Sequence, residues 1–171
     1  MADKSHFLLL MQGIALWNQW RQEHAEIQPD LRGIDLTKSY LRGVDLTAAD
    51  IRWTDLTRAD LTEANFTRAI LTETNLIMTN LTRANFTRAD LTRASLYSAN
   101  LRGADLRRAN LTETDLYEAD LREANLKGAN LYMADFRMAD LRGVNIFNAN
   151  FYGTKLFGAI LRDADLLHKD D

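Results

Sequence analysis

The sequence predicts an all-β solenoid, a rod of about seven four-sided coils behind an N-terminal α-helical cap. Three observations predict it. An apolar residue returns at every fifth position from Leu31 to Leu166. Neither a helix, with its period of about 3.6, nor a strand, with its period of about 2, keeps such residues on one face. Finally, distinctive residues recur at intervals of 20.

The series has 28 positions: Ile51 and Ile146, Phe66, Phe86, Phe136 and Phe151, and Leu elsewhere. Two residues before each stands a small or short residue, most often Ala, and one residue before stands usually Asp or Asn. The unit reads A-[DN]-L-x-x. On one long helix five residues advance about 140° net, so the leucines would spread around the circumference. On one long strand the odd step would alternate them between faces. A short extended piece with a corner keeps them together. Ala and Leu, two apart, point the same way, and the chain turns before the next Ala. Each pentapeptide is then one side of a polygon, with its small and large residues inward and the other three outward. Such regularity is the mark of a stacked repeat architecture.

Stacked residues recur at one coil's length. Phe66 and Phe86 are 20 apart, and Thr54, Thr74, Thr114 and Thr154 fall in one class at that interval. So do Arg68, Arg88 and Arg108, and Arg102, Arg122, Arg142 and Arg162. Twenty residues make four sides. Seven coils stacked at strand spacing give a rod roughly 34 Å long.

Over residues 31–166 the unit resembles that of the pentapeptide-repeat proteins, and the resemblance implies a right-handed quadrilateral β-helix. The handedness comes from the resemblance alone. Tyr40, Ile70, Ser95, Lys155 and Ile160 replace the Asp/Asn and are expected to be local irregularities of the wall. The expected organisation is a capping helix and connector over 1–30, the β-helix over 31–166 and a short tail over 167–171.

An open coil end leaves bare side chains and unpaired backbone. Residues 5–27 read as the N-terminal cover. Ser5 is the expected N-cap, and Phe7, Leu10, Met11, Ile14 and Trp17 follow helical spacing. Pro29 should stop the helix and also fill the first inward small position. The apolar run FLLLMQGIALW, residues 7–17, is interrupted by Gln12 and Gly13 and followed by WNQWRQEH, so it reads as fold and not as a cleaved signal. It is too short for a membrane span. The expected compartment is the cytoplasm. After Leu166 only LHKDD follows, which leaves the last coil to be shielded by charged residues or closed by a second chain. Relatives that act on topoisomerases resemble this chain in the coil and usually dimerise through a C-terminal module with no counterpart here.

The residues assemble no chemistry. The chain has 171 residues, 21 basic and 24 acidic side chains, and no cysteine, hence no disulfide or thiolate. One proline and eight glycines argue against a disordered chain. His6, His24 and His168 lie toward the ends without metal-ligand spacing. Most carboxylates occupy the consensus place before the central residue, where they should bond nearby backbone. Four NFT and NLT triplets match the glycosylation pattern only because N-L-T is a form of the repeat. Glycines such as Gly33 and Gly103 stand two after the central residue and read as corners needing positive φ. No catalytic, cofactor or metal site is expected, and the reading is not an enzyme.

The best-known activity of the resembling family is DNA mimicry at a topoisomerase, which needs a long acidic surface. Residues 31–166 carry 18 Lys/Arg and 18 Asp/Glu, so that activity does not carry over with the resemblance. Direct nucleic-acid binding is not expected either, because Arg102, Arg122 and Arg142 have Glu123, Asp120 and Asp140 nearby and read as salt-bridge ladders. One feature departs from the consensus wall. Tyr97, Tyr117 and Phe157 fall in one column, after Ile77 and Met78; Tyr132 and Tyr152 fall in the next, beside Met133 and Met138. Stacked, they would form a continuous strip on two adjacent sides. Such a strip either stabilises its own wall or contacts a partner. The functional expectation is a protein-binding scaffold of unknown partner, with a homodimer through the C-terminal end or the aromatic strip as one form. The alternative is a DNA-mimicking gyrase-binding protein.

Overall fold

The computed structural model describes residues 2–162. Parallel β bridges join Asp30 to Asp50, Asp35 to Asp55, Tyr40 to Asp60 and Asp45 to Asn65, and the same 20-residue step continues to Asp140 and Ile160. The coil therefore has four walls. Wall 1 is centred on Leu31, Ile51 and onward to Phe151, wall 2 on Leu36 to Leu156, wall 3 on Leu41 to Leu161, and wall 4 on Leu46 to Ile146.

The consensus follows from where five backbone N–H groups find acceptors. Take the unit around Leu101. The Asn100 N–H reaches back to the Thr79 carbonyl at 3.0 Å, Leu101 reaches forward to Asp120 at 2.7 Å, and Gly103 reaches Arg122 at 2.9 Å. The Ala104 N–H closes a turn onto the Leu101 carbonyl at 2.9 Å. The remaining N–H, on Arg102, donates to Oδ1 of Asn100 at 3.1 Å. That last bond is why Asp or Asn precedes the central residue: only their short side chains carry an acceptor back to the N–H two residues on. It forms in each fully described unit that has Asp or Asn there. Units with Tyr40, Ile70, Ser95 and Lys155 keep the inter-coil bonds without it.

The residue two after the centre is left-handed in every fully described unit. Gly103 has φ 66°, and non-glycine residues from Ser98 to Glu123 have φ from 51° to 62°. With the closing bond this is the sign pattern of a type II turn. Each non-glycine corner costs about 1–2 kcal/mol against a right-handed conformation.

Inside, the walls present Ala and Leu alternately. Leu101, Leu106 and Leu111 are fully buried, and so is Phe66, whose ring stacks on Phe86 at 4.7 Å, one coil spacing. Where Thr replaces the inward Ala its hydroxyl is satisfied: Thr54, Thr74, Thr79 and Thr114 donate to the carbonyls of Leu31, Ile51, Leu56 and Leu91 at 2.7–2.9 Å.

The cap differs from the single helix expected. It is two helices, α1 (Lys4–Met11) and α2 (Ile14–Glu23). Gly13, at φ 123° in a region open to glycine, makes the break. Asp3, not Ser5, is the N-cap; its carboxylate accepts the Ser5 N–H at 2.8 Å. Met11 points outward, 61% exposed, because the break turns α2 onto the coil without it. Chain reversal begins after Glu23, well before Pro29, which is buried in the first inward place as expected.

The second helix replaces the coil that the first turn lacks beneath it. Asn18 accepts the Asp45 N–H at 2.9 Å and donates to the Gly43 carbonyl at 2.9 Å. Fully buried Trp17 donates to the Asp45 carbonyl at 2.8 Å, and the buried Arg21 guanidinium donates to Thr47 and Ile27 carbonyls. Edge backbone that would pair with a preceding coil pairs with helix side chains instead. The expected tail, His168 and the last central residue lie outside the described residues.

Leu101→Ala should destabilise the rod by about 2–5 kcal/mol, and Leu101→Asp, which buries an unpaired charge, should abolish native stacking in urea and thermal melts. The walls set an acid limit as well. The Arg32 guanidinium beside Asp30 holds its carboxyl down at about 2. Arg122 and Arg142 likewise lower Asp120 and Asp140. The unfolded chain binds more protons between about pH 4 and 2, so this stabilisation is full above about pH 4 and is lost as pH falls toward 2. The urea midpoint should drop over that window. Asp120→Asn/Asp140→Asn keeps the backbone acceptors but removes three ion pairs, so its midpoint should drop less; an unchanged slope would contradict this assignment.

Candidate protein-contact surface

The outward residues one and two after each centre carry no fold-defining bond except through their backbone, so the walls can vary there. The aromatic columns occupy those places. On wall 2, Tyr97 and Tyr117 stack at 5.8 Å with planes 6° apart; on wall 1, Tyr132 and Tyr152 stack at 5.7 Å and 3°. The corner between these walls carries Met133, 46% exposed, and the next corner carries Met138, 49% exposed.

The strip is not continuous as expected. Arg137 stands between Tyr117 and Phe157 in the column, and its guanidinium lies over the Tyr117 ring at 5.5 Å. Its other partner is Asp135, whose carboxylate it binds at 2.7 Å. The spacing of 20 put three aromatic rings in one class but skipped the intervening member, which the same count identifies as Arg137. Exposure rises toward the later coils. Tyr97, Tyr117 and Tyr132 are half-buried by their neighbours, whereas Tyr152 is 71% and Phe157 83% exposed.

Between the columns runs an open groove of about 750 Å³, with Tyr117 and Arg137 on one side and Met133 and Gly153 on the other. Asp115, Asp135 and Lys155 line its floor. Lys155 lies 3.5 Å from Asp135, and the Arg137 guanidinium first of all holds the Asp135 carboxyl below its usual range. The Tyr97 hydroxyl donates to Glu118 at 3.3 Å. Gly153 and Gly158 leave the space that Met133 and Met138 occupy: a Cβ at 153 would sit 3.1 Å from Met133 Cγ, and one at 158 would collide with Met138 Sδ. The arrangement is an apolar, polarisable ridge with a paired-charge floor. It offers contact area, and of its carboxylates Glu113 pairs with Arg93, Asp135 with Arg137 and Lys155, and Asp115 accepts the Tyr117 N–H.

Sequence reasoning missed Trp53, 55% exposed near the cap, and marked Tyr40, 87% exposed, only as an irregularity of the wall. Both occupy outward repeat positions and could have been found by the same wall count. Trp53 donates to Glu73 at 3.0 Å and lies under Arg52 at 5.2 Å. The cap histidines have packing roles: His6 accepts the Asp30 N–H, and both His6 and His24 lie against Trp20. Arg102 pairs with Glu123 at 2.8 Å, and Arg122 and Arg142 with Asp120 and Asp140, as the ladder reading requires. Among the described residues no group of three or more His, Asp or Glu side chains is placed to hold a metal ion, and no helix is long and apolar enough to cross a membrane.

The family model described as Pentapeptide repeats matches the chain in overlapping segments over residues 30–88 and 89–163. Among solved structures, the chain is similar to a pentapeptide repeat protein of the Arabidopsis thaliana thylakoid lumen, with 30% identity over 67% of this chain and a TM-score of 0.45. It spans 66% of that protein, just under two thirds of its length. A pentapeptide repeat protein from Nostoc is 40% identical over 54% of this chain and 64% of its own, with a TM-score of 0.38. QnrB1, a plasmid-mediated fluoroquinolone resistance protein, is 16% identical over 75% of this chain and 80% of its own, with a TM-score of 0.46. No curated protein sequence matches the chain. Repeat unit, four-walled coil and family match agree, and the chain belongs to the pentapeptide repeat family, with its right-handed quadrilateral β-helix.

Proposed function

We propose that the rod is a non-enzymatic scaffold that holds a protein partner against the later coils of walls 1 and 2. The observation that carries this reading is the gathering of exposed Tyr152, Phe157, Met133 and Met138 on the later coils of these two walls, where outward places elsewhere are mostly polar or Gly. Large apolar side chains gathered on one surface favour burial against a complementary surface, and Tyr and Met are enriched in such contacts. A second copy of the chain is one partner of the right kind. The alternative, a DNA-mimicking binder of gyrase, finds less support, because acidic side chains along the rod are matched by Arg: Asp135 on wall 2, Asp120 and Asp140 on wall 3 and Asp105 on wall 4 each hold a guanidinium. Inhibition of gyrase supercoiling by the purified chain would reverse that ranking.

Tyr117→Ser/Tyr132→Ser/Phe157→Ser should keep the circular dichroism of the wild type, since each ring lies outside the coil interior. In affinity capture it should lose the partner that wild type retains, and in light scattering it should lose any dimer. Capture and mass unchanged in a folded variant would contradict the role of the strip.

A further inference from the structure

A second surface lies on the opposite edge of wall 1, at its corner with wall 4, and its chemistry is different. A groove of about 690 Å³ runs there from Thr47 to Asn148, across successive coils. Arg68, Arg88 and Arg108 line it from the corner, and Arg107 and Lys127 from wall 4. All five are exposed. No Asp or Glu lines the groove.

The register explains why these cations are left over. An Arg one after the centre folds back on the Asp one before it, as Arg107 does on Asp105 at 2.6 Å. An Arg two after the centre faces away from that carboxylate and needs a partner in the neighbouring coil, as Arg93 finds Glu113 at 2.7 Å. In the column of Arg68, Arg88 and Arg108, the coil neighbour of Arg88 on either side is another Arg. Among the described residues none of the three, nor Lys127, has an ion pair. Lys127 instead lies over the Phe147 ring at 5.1 Å. Stacked like charges oppose folding, and a bound anionic partner would relieve that repulsion.

We propose that this groove takes an α-helix of a partner protein that presents Asp or Glu once per turn. The spacing selects the helix. Coils repeat at the 4.7 Å of the Phe66–Phe86 stack. Acidic side chains at i, i+4 and i+7 of a helix recur about every 5.4 Å, within reach of a flexible Arg at each step. Same-face residues of an extended peptide recur about every 6.8 Å and slip out of register three times as fast. A nucleic-acid strand is served less well, because no lining residue of the groove is aromatic and the Phe147 ring beside it lies under Lys127. From the Thr47 coil to the Asn148 coil there are five steps, about 24 Å, the length of roughly 16 helical residues.

The test uses the full chain and a fluorescent, end-capped, Ala-based peptide of about 16 residues with Glu at i, i+4, i+7 and i+11, read by anisotropy at low salt. Saturable binding is expected. It should weaken about tenfold with Arg68→Gln/Arg88→Gln/Arg108→Gln, since three exposed ion pairs are lost, and it should weaken with added salt. The Tyr117→Ser/Tyr132→Ser/Phe157→Ser variant should bind this peptide like wild type, which separates the two surfaces. Controls are the peptide with Gln for Glu, a proline-interrupted peptide of the same charge, and a 12-nucleotide oligothymidine. No saturable binding, equal binding by the Arg variant, or equal or tighter binding of any control would overturn the proposal.

Discussion

Three N–H groups in each pentapeptide reach a neighbouring coil, and the chain can keep them in reach only by returning to the same place every 20 residues. That demand governs the rest of the molecule. It requires a corner every five residues, and the corner requires a left-handed residue two after the centre. It leaves one N–H per unit outside both the ladder and the turn, which is the reason for Asp or Asn. It also leaves a dry square interior, which Leu, Phe, Ala and satisfied Thr fill. The left-handed corners are locally unfavourable, and the inter-coil bonds made by the same residues hold them in place. Arg58 at φ 60° donates to Ile77 at 3.0 Å, for example.

The same division explains where function can reside. Inward residues and the residue before the centre are committed to stacking and turns. The two residues after the centre contribute their backbone to the coil and leave their side chains to the surface. Their identity sets what each wall presents without disturbing the tube. On this chain those places give Thr and ion-paired Arg over much of the rod, an aromatic and Met ridge around one corner of wall 1, and an unpaired Arg column at the other. On the proposed reading, such a rod would meet partners by long shallow contact, with chemistry that changes from edge to edge.

The repeat, the coil length, the inward register and the arginine–carboxylate ladders were legible because each depends on a count along the chain. The cap was legible only in outline. Helical spacing located Trp17 in the core, but the break at Gly13 depends on how α2 meets the exposed edge of the first coil, through Asn18, Trp17 and Arg21. Asp3 displaced Ser5 as N-cap because the helix starts at Lys4, earlier than an N-cap at Ser5 allows, which places Ser5 inside the first turn. The aromatic strip was located in the right columns, yet its interruption by Arg137 needed the full column and not only its aromatic members. The Arg68, Arg88 and Arg108 series was visible as a periodicity. Its lack of carboxylate partners was not, because that depends on the direction each side chain leaves the corner.

The claim beneath all of this is that residues 20 apart are nearest neighbours while residues ten apart lie on opposite walls. The chain has no cysteine, so exposed pairs can be labelled cleanly. Nitroxides at Arg68→Cys/Arg88→Cys should sit about 5 Å apart at the backbone and give a strongly broadened spectrum. Nitroxides at Arg68→Cys/Met78→Cys, half as far along the chain but across the tube, should give a far narrower one. Greater broadening in the second pair than in the first would contradict the four-walled coil.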